Sequence, residues 1–493
     1  MNNLLVLPLI IPIITAVVLV FLREQIVLQR VISFLTMIFI SIISFLLLNF
    51  VKTDGIIRLD FSGWLPPFGI LFVADSFSIL LVLTASILTT ICLLYAFSTI
   101  GNKHEKMFFY PFVLFLIAGV NGSFLTGDIF NLFVCFEVML LASYVLVALG
   151  GGRRQLRESL KYVLINVVAS WMFLIALAFL YGTVKTLNMA HIAVRVAEVG
   201  QDSLLTTVAI LLLIVFSLKA GLLLFFWLPG SYSVPPTVVQ ALFAALLTKV
   251  GIYALIRTFT LMFPLNQDIT HTIIGIMAGI TLVLGCMGAL SGRDIYTIAT
   301  YNVIIGVGFI LIGLAVGTEI ALTGAIYYII HDMLAKALLF LLIGMMFYVS
   351  GGETIVKKMS GLITNYPLFG WIYFLVMLAL AGIPPLSGFM GKVLIGQGAI
   401  EAESYVLLAL GFASSIIVLY SLLRIFLASF FGETTISFED KKPIPKGAYV
   451  SFVLLALSIV FVGVGAESLA VYVKDAAKTL MNPSIYIDAI LKG

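Results

Sequence analysis

Charged side chains are scarce in this sequence: they make up 10% of its 493 residues, while hydrophobic residues make up 62%. Soluble domains carry about 25% charged residues. So low a charge content excludes an ordinary soluble globular protein and indicates an integral membrane protein. The net charge of +4 is small, and we attribute it to loops on one side of a membrane rather than to nucleic-acid binding.

Cysteine and cofactor motifs are scarce as well. The three cysteines, Cys92, Cys135 and Cys286, stand singly within apolar runs, which argues against a disulfide framework or an iron–sulfur site. No Walker sequence occurs, no GxGxxG follows a strand, and no carboxylate cluster marks a metal site. We therefore expect neither a cofactor nor a metal. The N-terminus lacks the basic region and cleavage site of a signal peptide, which predicts a retained first helix.

Long apolar runs dominate the remaining sequence, and short alternating segments typical of membrane β-barrels are absent. A membrane-spanning helix needs about 20 apolar residues. Hydropathy therefore predicts an all-α polytopic membrane protein of about fourteen helices without a soluble domain. Their approximate ranges are 4–22, 28–50, 73–97, 107–125, 128–149, 159–183, 204–228, 238–262, 271–290, 295–317, 319–349, 366–400, 404–431 and 448–473.

The basic residues between these runs predict the orientation. Loops after odd-numbered helices hold fourteen of them: Arg23, Arg30, Lys103, Lys106, Arg153, Arg154, Arg157, Lys161, Arg293, Lys357, Lys358, Lys441, Lys442 and Lys446. The other side holds eight: Lys52, Arg58, Lys185, Arg195, Arg257, Lys474, Lys478 and Lys492. The positive-inside rule then places the first set in the cytoplasm and both termini outside.

Two blocks of five helices share one architecture. In helices 4–8 and again in helices 9–13, the fourth member is interrupted: helix 7 between Lys219 and Pro229, with Gly221 inside the break, and helix 12 at Pro384 and Pro385. Since five is odd, the second block enters the membrane inverted, as in many secondary transporters. The predicted organisation is helices 1–3 in 1–100, the two repeats in 101–263 and 264–432, and a loop with helix 14 in 433–493.

Two lysines lie near the middle of predicted spans, Lys219 in helix 7 and Lys249 in helix 8. A lysine at the bilayer centre costs about 2.5–3.5 kcal/mol on insertion scales, and no acid lies within one helical turn of either. Broken helices at membrane depth are tolerated where protein or water surrounds the freed backbone. A broken helix with unpaired lysines suggests a hydrated ion path, although long side chains also snorkel to an interface.

Glu137, near the middle of helix 5, is the candidate partner for these lysines. One interpretation is a carboxylate that fixes helix packing. The other is an ion pair with a neighbouring helix, most plausibly through Lys219, that one added or removed proton would switch.

Helices 11 and 12 contain further charges. Asp332 and Lys336 are four residues apart, so they share a helix face and can form a local ion pair. Alternatively, His331 passes protons together with Lys336, since histidine titrates near physiological pH. Lys392 follows the helix 12 break and is either the outward end of a row of charges or an interfacial anchor.

These stretches resemble the antiporter-like subunits shared by respiratory complex I and the Mrp multi-subunit cation/proton antiporters. The motifs are Glu137 in helix 5, Lys219 followed by FWLP, LLTKVGIYALIR, HDMLAKALLFLLIG and GIPPLSGFMGK. The similarity spans nearly the whole chain, and its length is most similar to the D-type subunits of Mrp antiporters. The family often has a proline soon after the helix 7 lysine, where this chain has Gly221.

The resemblance implies a proton path in which Glu137 and Lys219 modulate, Lys249 and Lys336 relay, and Lys392 lies at the exit. It implies a non-enzymatic subunit of a hetero-oligomeric, electrogenic antiporter for protons and Na⁺ in a bacterial plasma membrane, surrounded by lipid and partner subunits. The first alternative is a proton-pumping subunit of NADH–quinone oxidoreductase, which would share every charged position. A proton-coupled solute transporter is a further alternative, and it would need a polar midplane pocket.

Overall fold

The computed structural model describes residues 2–200, 203–265, 267–434 and 441–492. Its elements are almost entirely helical. The N-terminal part begins with a 3₁₀ turn at Asn2–Val6 and contains α1 Leu7–Phe21, α2 Ile26–Asp54, β1 Ile57–Asp60, a 3₁₀ turn at Phe61–Gly63, β2 Leu71–Ala74, α3 Ser76–Thr99 and α4 Asn102–Glu105.

The next part of the chain covers the region predicted as the first repeat. It contains α5 Phe109–Leu125, α6 Ile129–Ala148, α7 Arg153–Val184, α8 Met189–Val199, α9 Ser203–Ala220, α10 Leu228–Ser231, α11 Thr237–Leu242, a π-helical turn at Phe243–Leu247, α12 Thr248–Arg257 and a second π-helical turn at Thr258–Met262.

The region predicted as the second repeat follows, and after it come the C-terminal helices. These elements are α13 Gln267–Ser291, α14 Ile295–Val316, α15 Glu319–Val349, a 3₁₀ turn at Val356–Lys358, α16 Leu362–Asn365, α17 Pro367–Ala381, α18 Gly388–Glu401, α19 Tyr405–Phe430, α20 Lys446–Val464, α21 Ala466–Met481 and α22 Pro483–Leu491.

Within the described residues, twelve helices are long and apolar enough to cross a membrane, which makes the chain a polytopic membrane protein. Two shorter apolar helices, α5 and α17, lie among them. Each of the fourteen predicted ranges contains at least one apolar helix. Range 366–400 is divided between α17 and α18, and range 448–473 is divided between α20 and α21.

Burial is graded across the bundle. In the most apolar window of α15, and in that of the helical stretch running from α11 through α12, every residue is buried, whereas in α1 only 28% are. The helices that carry Lys249, Asp332 and Lys336 are therefore packed inside the protein, while α1, α7 and α19 expose apolar faces. A buried helix that is apolar around its whole circumference is the expected pattern for the interior of a membrane bundle.

The two strands pack with the C-terminal helices near the start of α3. β1 and β2 form an antiparallel hairpin that pairs Ile57 with Ala74, and the Arg58 guanidinium donates to the Ile490 carbonyl in α22 at 2.5 Å. The hydroxyl of Ser76 donates to the carboxylate of Asp475 in α21. The C-terminal helices thus lie over the start of α3.

The assignment of Arg257 to an outer loop is wrong. Arg257 is the last residue of α12 and is buried, with its guanidinium 2.6 Å from the Asp75 carboxylate. Asp75 also caps α3, since its carboxylate accepts a hydrogen bond from the Ser78 amide. A charge at the end of an apolar helix can turn inward when a buried carboxylate offers a partner, and hydropathy alone does not reveal that partner.

Candidate functional site: a buried row of charges across two broken helices

The centre of the site is the middle of α15. His331, Asp332 and Lys336 are all buried there, in a helix whose apolar neighbours close it on every side. Asp332 and Lys336 lie on one helix face, with the Lys336 Nζ 3.7 Å from Asp332 Oδ1. The ion pair expected from their spacing is therefore present.

Asp332 makes its shorter contact with another helix. The Nζ of Lys249 in α12 lies 2.6 Å from Asp332 Oδ2, and both side chains are fully buried. One carboxylate is consequently shared by two lysines. An ion pair this deeply buried persists only when its partners are well aligned and hydrogen-bonded, because desolvation opposes it.

Two local features make room for this contact. A π-helical turn at Phe243–Leu247 precedes α12, and the Lys249 ammonium donates back to the Ala244 carbonyl of that turn at 3.0 Å. Such turns occur frequently at functional sites. On the other side, Gly306 of α14 lacks a side chain, and a Cβ there would lie 2.9 Å from Asp332 Oδ1. A side chain at position 306 would therefore crowd the carboxylate.

Lys219 lies at the end of α9 and is buried, but it has no hydrogen-bond partner among the described residues. Its ammonium lies over the Phe136 ring, 5.2 Å from the centroid. Glu137, the next residue, accepts a hydrogen bond from the Ser170 hydroxyl instead. The structure brings Glu137 and Lys219 into one neighbourhood but not into an ion pair.

The break after Lys219 is held by neutral groups. α9 ends at Ala220, and Gly221 has a φ of +79°, which glycine adopts without steric penalty. The indole nitrogen of Trp227 donates to the Leu218 carbonyl at 3.1 Å. Across the bundle, the Thr281 hydroxyl of α13 accepts from the Leu223 amide at 2.8 Å.

The chain becomes helical again close to Pro229. This proline lies in the first turn of α10, where the missing N–H of proline has no helical partner to lose. The break therefore occupies the stretch between Ala220 and Leu228.

The second break is held by a charge. α17 ends at Ala381, and Pro384 and Pro385 lie in the turn before α18. The Lys392 ammonium reaches back across this turn and donates to the carbonyls of Leu380 and Ala381, each at 2.9 Å. A cation at the C-terminal end of a helix is favoured because the free carbonyls there carry partial negative charge.

Lys392 makes one further hydrogen bond, to the Ser415 hydroxyl of α19 at 2.9 Å. It is buried, and its ammonium faces the rings of Phe309 and Tyr328 at 5.5 and 5.9 Å from their centroids. The interpretation of Lys392 as an interfacial anchor is therefore not supported by its position.

His331 joins the centre of the row to this second break. Its Nδ1 lies 2.7 Å from the Ser387 hydroxyl in the turn between α17 and α18, and its Nε2 has no hydrogen-bond partner among the described residues. A neutral imidazole carries one donor and one acceptor, so this arrangement leaves one ring nitrogen available to a transferable proton.

The sequence analysis missed the small residues, three of them with hydroxyl groups, that lie beside the charges and the helix breaks. Ser387, Ser415, Thr281 and Gly306 each contact a charged side chain or a helix break, yet serine, threonine and glycine occur throughout this chain and carry no local signal. The pairing of Asp75 with Arg257 was missed for a different reason, since the two residues are 182 positions apart.

Comparisons with known proteins identify what the chain is similar to. Residues 126–418 match the family model described as NADH:quinone oxidoreductase/Mrp antiporter, transmembrane. The chain is 46% identical to the D-type subunit of the Na⁺/H⁺ antiporter of Bacillus subtilis and 45% identical to that of Alkalihalophilus pseudofirmus, with 100% of each chain covered. It is also similar to a chain of the solved Mrp complex of Dietzia sp., at 28% identity, a TM-score of 0.93 and 99% coverage of each chain.

Proposed function

The chain belongs to the NADH:quinone oxidoreductase/Mrp antiporter family of transmembrane subunits, and from that premise we propose that it is the proton-translocating subunit of an electrogenic, multi-subunit Na⁺/H⁺ antiporter. The observation that carries the proposal is the buried Asp332 carboxylate between Lys249 and Lys336. A protein does not need three desolvated charges to hold a membrane bundle together, because apolar packing would stabilise it at lower cost.

The row of charges suggests an order of proton transfer. Lys249, Asp332 and Lys336 form the central relay, since a proton added to or removed from one changes the charge that the other two experience. Lys392 lies beyond His331 on the outer side in the predicted topology, at the outer end of the path. Moving one elementary charge across the membrane is worth about 2.3 kcal/mol per 100 mV, so the membrane potential can bias each transfer.

Lys219 and Glu137 form the modulating end in this proposal. In the part of the chain that the structure describes, Lys219 has no hydrogen-bond partner and Glu137 accepts from Ser170, so neither is committed to a fixed ion pair. A Lys219 side chain that alternates between the Phe136 ring and the Glu137 carboxylate would change the field acting on Lys249.

Matching helix starts support the inverted repeat. Asp128 caps α6 and pairs through its backbone with Asn188, which follows α7. Asp294 caps α14 and pairs in the same way with Ile355, which follows α15. In the predicted topology these two helices start from opposite membrane faces. A helix start with an aspartate cap and a backbone bridge therefore occurs once in each orientation. We propose the divisions 101–263 and 264–432 for the two repeats.

The proposed setting is a hetero-oligomer in a bacterial plasma membrane, with lipid around it and both termini on the outer side. The relatives in Bacillus and Alkalihalophilus are named as one lettered component of an antiporter, which supports partner subunits. The bond between Arg58 and Ile490 keeps the C-terminal helix on the same side as the β1–β2 hairpin, consistent with a common outer face.

The test uses everted membrane vesicles from cells that express the whole set of subunits. We expect added Na⁺ to dissipate a preformed pH gradient with the native chain, and Lys249→Met or Glu137→Ala to abolish this with the complex assembled. Lys358→Ala is the matched control, because its ammonium is exposed and lies 3.9 Å from Glu353 at the surface.

Two outcomes would replace the proposal. If Na⁺ has no effect but NADH oxidation builds a proton gradient through the same complex, the chain is a redox-driven pump subunit instead. If Lys249→Met and Glu137→Ala both retain full exchange, the buried charges are structural and the proton path lies elsewhere.

A further inference from the structure

Lys392 uses its full capacity for donating hydrogen bonds. A protonated lysine has three N–H donors and no acceptor. Within the described chain, Lys392 Nζ donates to three acceptors, the Leu380 carbonyl, the Ala381 carbonyl and the Ser415 hydroxyl, each at 2.9 Å. The ammonium is therefore saturated by this set.

A neutral Lys392 would place different demands on the same three atoms. A neutral amine keeps two N–H donors and gains one lone pair, so it needs two acceptors and one donor. The two carbonyls can only accept. Of the three partners, Ser415 is the only one with a hydrogen that it can turn towards the nitrogen.

While Lys392 is protonated, the Ser415 hydroxyl can donate its hydrogen elsewhere. Its hydroxyl lies 3.2 Å from the Gly411 carbonyl in the preceding turn of α19, which is a long hydrogen bond. Rotation of the hydroxyl about its C–O bond moves the hydrogen between the Gly411 carbonyl and Lys392 Nζ without moving a heavy atom.

The other charged groups facing Lys392 come from α15. They are His331, Asp332 and Lys336, which interact with Lys392 across the packed interior. α14 contributes the Phe309 ring, and α17 contributes its carbonyls. Gly382, beside the break, would place a Cβ 2.7 Å from Lys392 Cδ, so the lysine stem is also confined.

We propose that Ser415 is a positioning residue that holds Lys392 in one place in both of its protonation states, by accepting a hydrogen bond from the ammonium and donating one to the neutral amine. The inference rests on the proposed proton path through Lys392. When Lys392 passes its proton to the next carrier of the path, the electron pair of that N–H bond remains on nitrogen. The Ser415 hydroxyl then rotates to it, and no bond within the serine breaks.

The expected effect depends on pH. Without the hydroxyl, the ammonium loses a charge-assisted hydrogen bond and the neutral amine loses a weaker neutral one, so the protonated state loses more. At alkaline pH the protonated state of Lys392 is the less populated one, so a variant that destabilises it further should be affected most there. Ser415→Ala should therefore lower Na⁺-dependent proton movement about three- to tenfold at alkaline pH and less than about twofold near neutral pH.

The experiment compares full pH profiles in everted vesicles that contain the whole complex. Ser414→Ala is the matched control: Ser414 is the adjacent buried serine and donates to the same Gly411 carbonyl at 2.7 Å, whereas the serine bonded to Lys392 is Ser415. Ser415→Thr restores the hydroxyl and should restore the profile. If Ser415→Ala fails to assemble, Ser415→Cys, which keeps the volume but has only a weak donor, should show the same alkaline loss.

The results separate this inference from the proposed function. If Ser415→Ala has the native pH profile while Lys392→Met abolishes exchange, the serine has no such role and the proton path stands. If Ser414→Ala reproduces the alkaline loss, the effect belongs to α19 packing and the inference is overturned. If the native complex shows no Na⁺-dependent proton movement, the proposed function and this inference both fall.

Discussion

At each of the two helix breaks, backbone groups lose their helical hydrogen-bond partners, and different side chains bind them. Where α9 stops, the freed groups are bound by the Trp227 indole and the Thr281 hydroxyl, and the nearby Lys219 takes no part. Where α17 stops, the freed carbonyls are bound by Lys392 itself. One break is therefore independent of the charge beside it, and the other is built on it.

This difference indicates different roles for the two lysines. Lys219 can change its surroundings without loosening the helix, because no backbone group depends on its ammonium. Lys392 cannot leave its position without exposing two carbonyls to an apolar interior, where an unsatisfied polar group is costly. We expect Lys219 to be the mobile element of the row and Lys392 the fixed one.

The largest difference in stability should lie between variants of the two buried-row carboxylates, Asp332 and Glu137. Asp332→Asn removes the partner of Lys249 and Lys336, and breaking a buried ion pair costs about 3–5 kcal/mol. Glu137→Gln leaves an amide oxygen for the Ser170 hydroxyl and breaks no ion pair, so its stability should stay close to native. Both variants should lose exchange. Thermal unfolding of the purified complex measures the difference, and equal melting temperatures for the two variants would contradict it.

Substitution of the two lysines should also affect stability unequally, with the larger loss at the second break. Lys392→Met removes three hydrogen bonds of a charged donor and should destabilise the complex by about 2–3 kcal/mol. Lys219→Met removes a buried group without polar partners and should leave stability unchanged or raise it. Exchange should be lost in both. The melting temperature of each assembled variant is the measurement; a loss of stability in Lys219→Met as large as that in Lys392→Met would mean that Lys219 holds its break after all.

A third comparison uses the glycine at each break. Gly221 and Gly382 have φ values of +79° and +86°, so alanine at either position strains the backbone by about 1–2 kcal/mol. At Gly382 the added Cβ would also lie 2.7 Å from Lys392 Cδ, while at Gly221 it meets the flexible end of Leu228. Gly382→Ala should therefore reduce exchange severely and Gly221→Ala only mildly, as measured in vesicles at matched complex levels. Equal activity would show that displacement of Lys392 has no consequence.

The sequence predicted the membrane class, the position of the apolar helices and the residues of the charged row, because each depends on local composition or on a charge in an apolar run. It predicted the local pair of Asp332 and Lys336, but it did not predict which charges meet between helices. Lys249 was expected to lie unpaired and is bound to Asp332, whereas Lys219 was expected to pair with Glu137 and does not. Partner choice depends on helix rotation and on space, such as the gap left by Gly306, and neither is encoded near the residue concerned.

The supporting polar residues were out of reach for the same reason. Ser415 and Thr281 resemble many other small polar residues in the chain, and only the packing of α19 on α18 and of α13 on the first break gives them a role. The inward turn of Arg257 likewise depends on Asp75, far away in sequence.

At the first break, loss of the Thr281 hydroxyl should have a small effect on stability. The Thr281 hydroxyl accepts from the Leu223 amide and donates to the Met277 carbonyl of its own helix, so Thr281→Val keeps the shape and removes both hydrogen bonds. Hydrogen bonds between membrane helices average about 0.6 kcal/mol and reach about 1.7 kcal/mol in double-mutant cycles. We therefore expect a loss of stability within that range, together with a modest loss of exchange. A double-mutant cycle of Thr281→Val with Lys219→Met then tests independence directly: additive changes in melting temperature mean that the neutral bonds hold this break whatever Lys219 does, and strong coupling would mean that both breaks depend on their lysines.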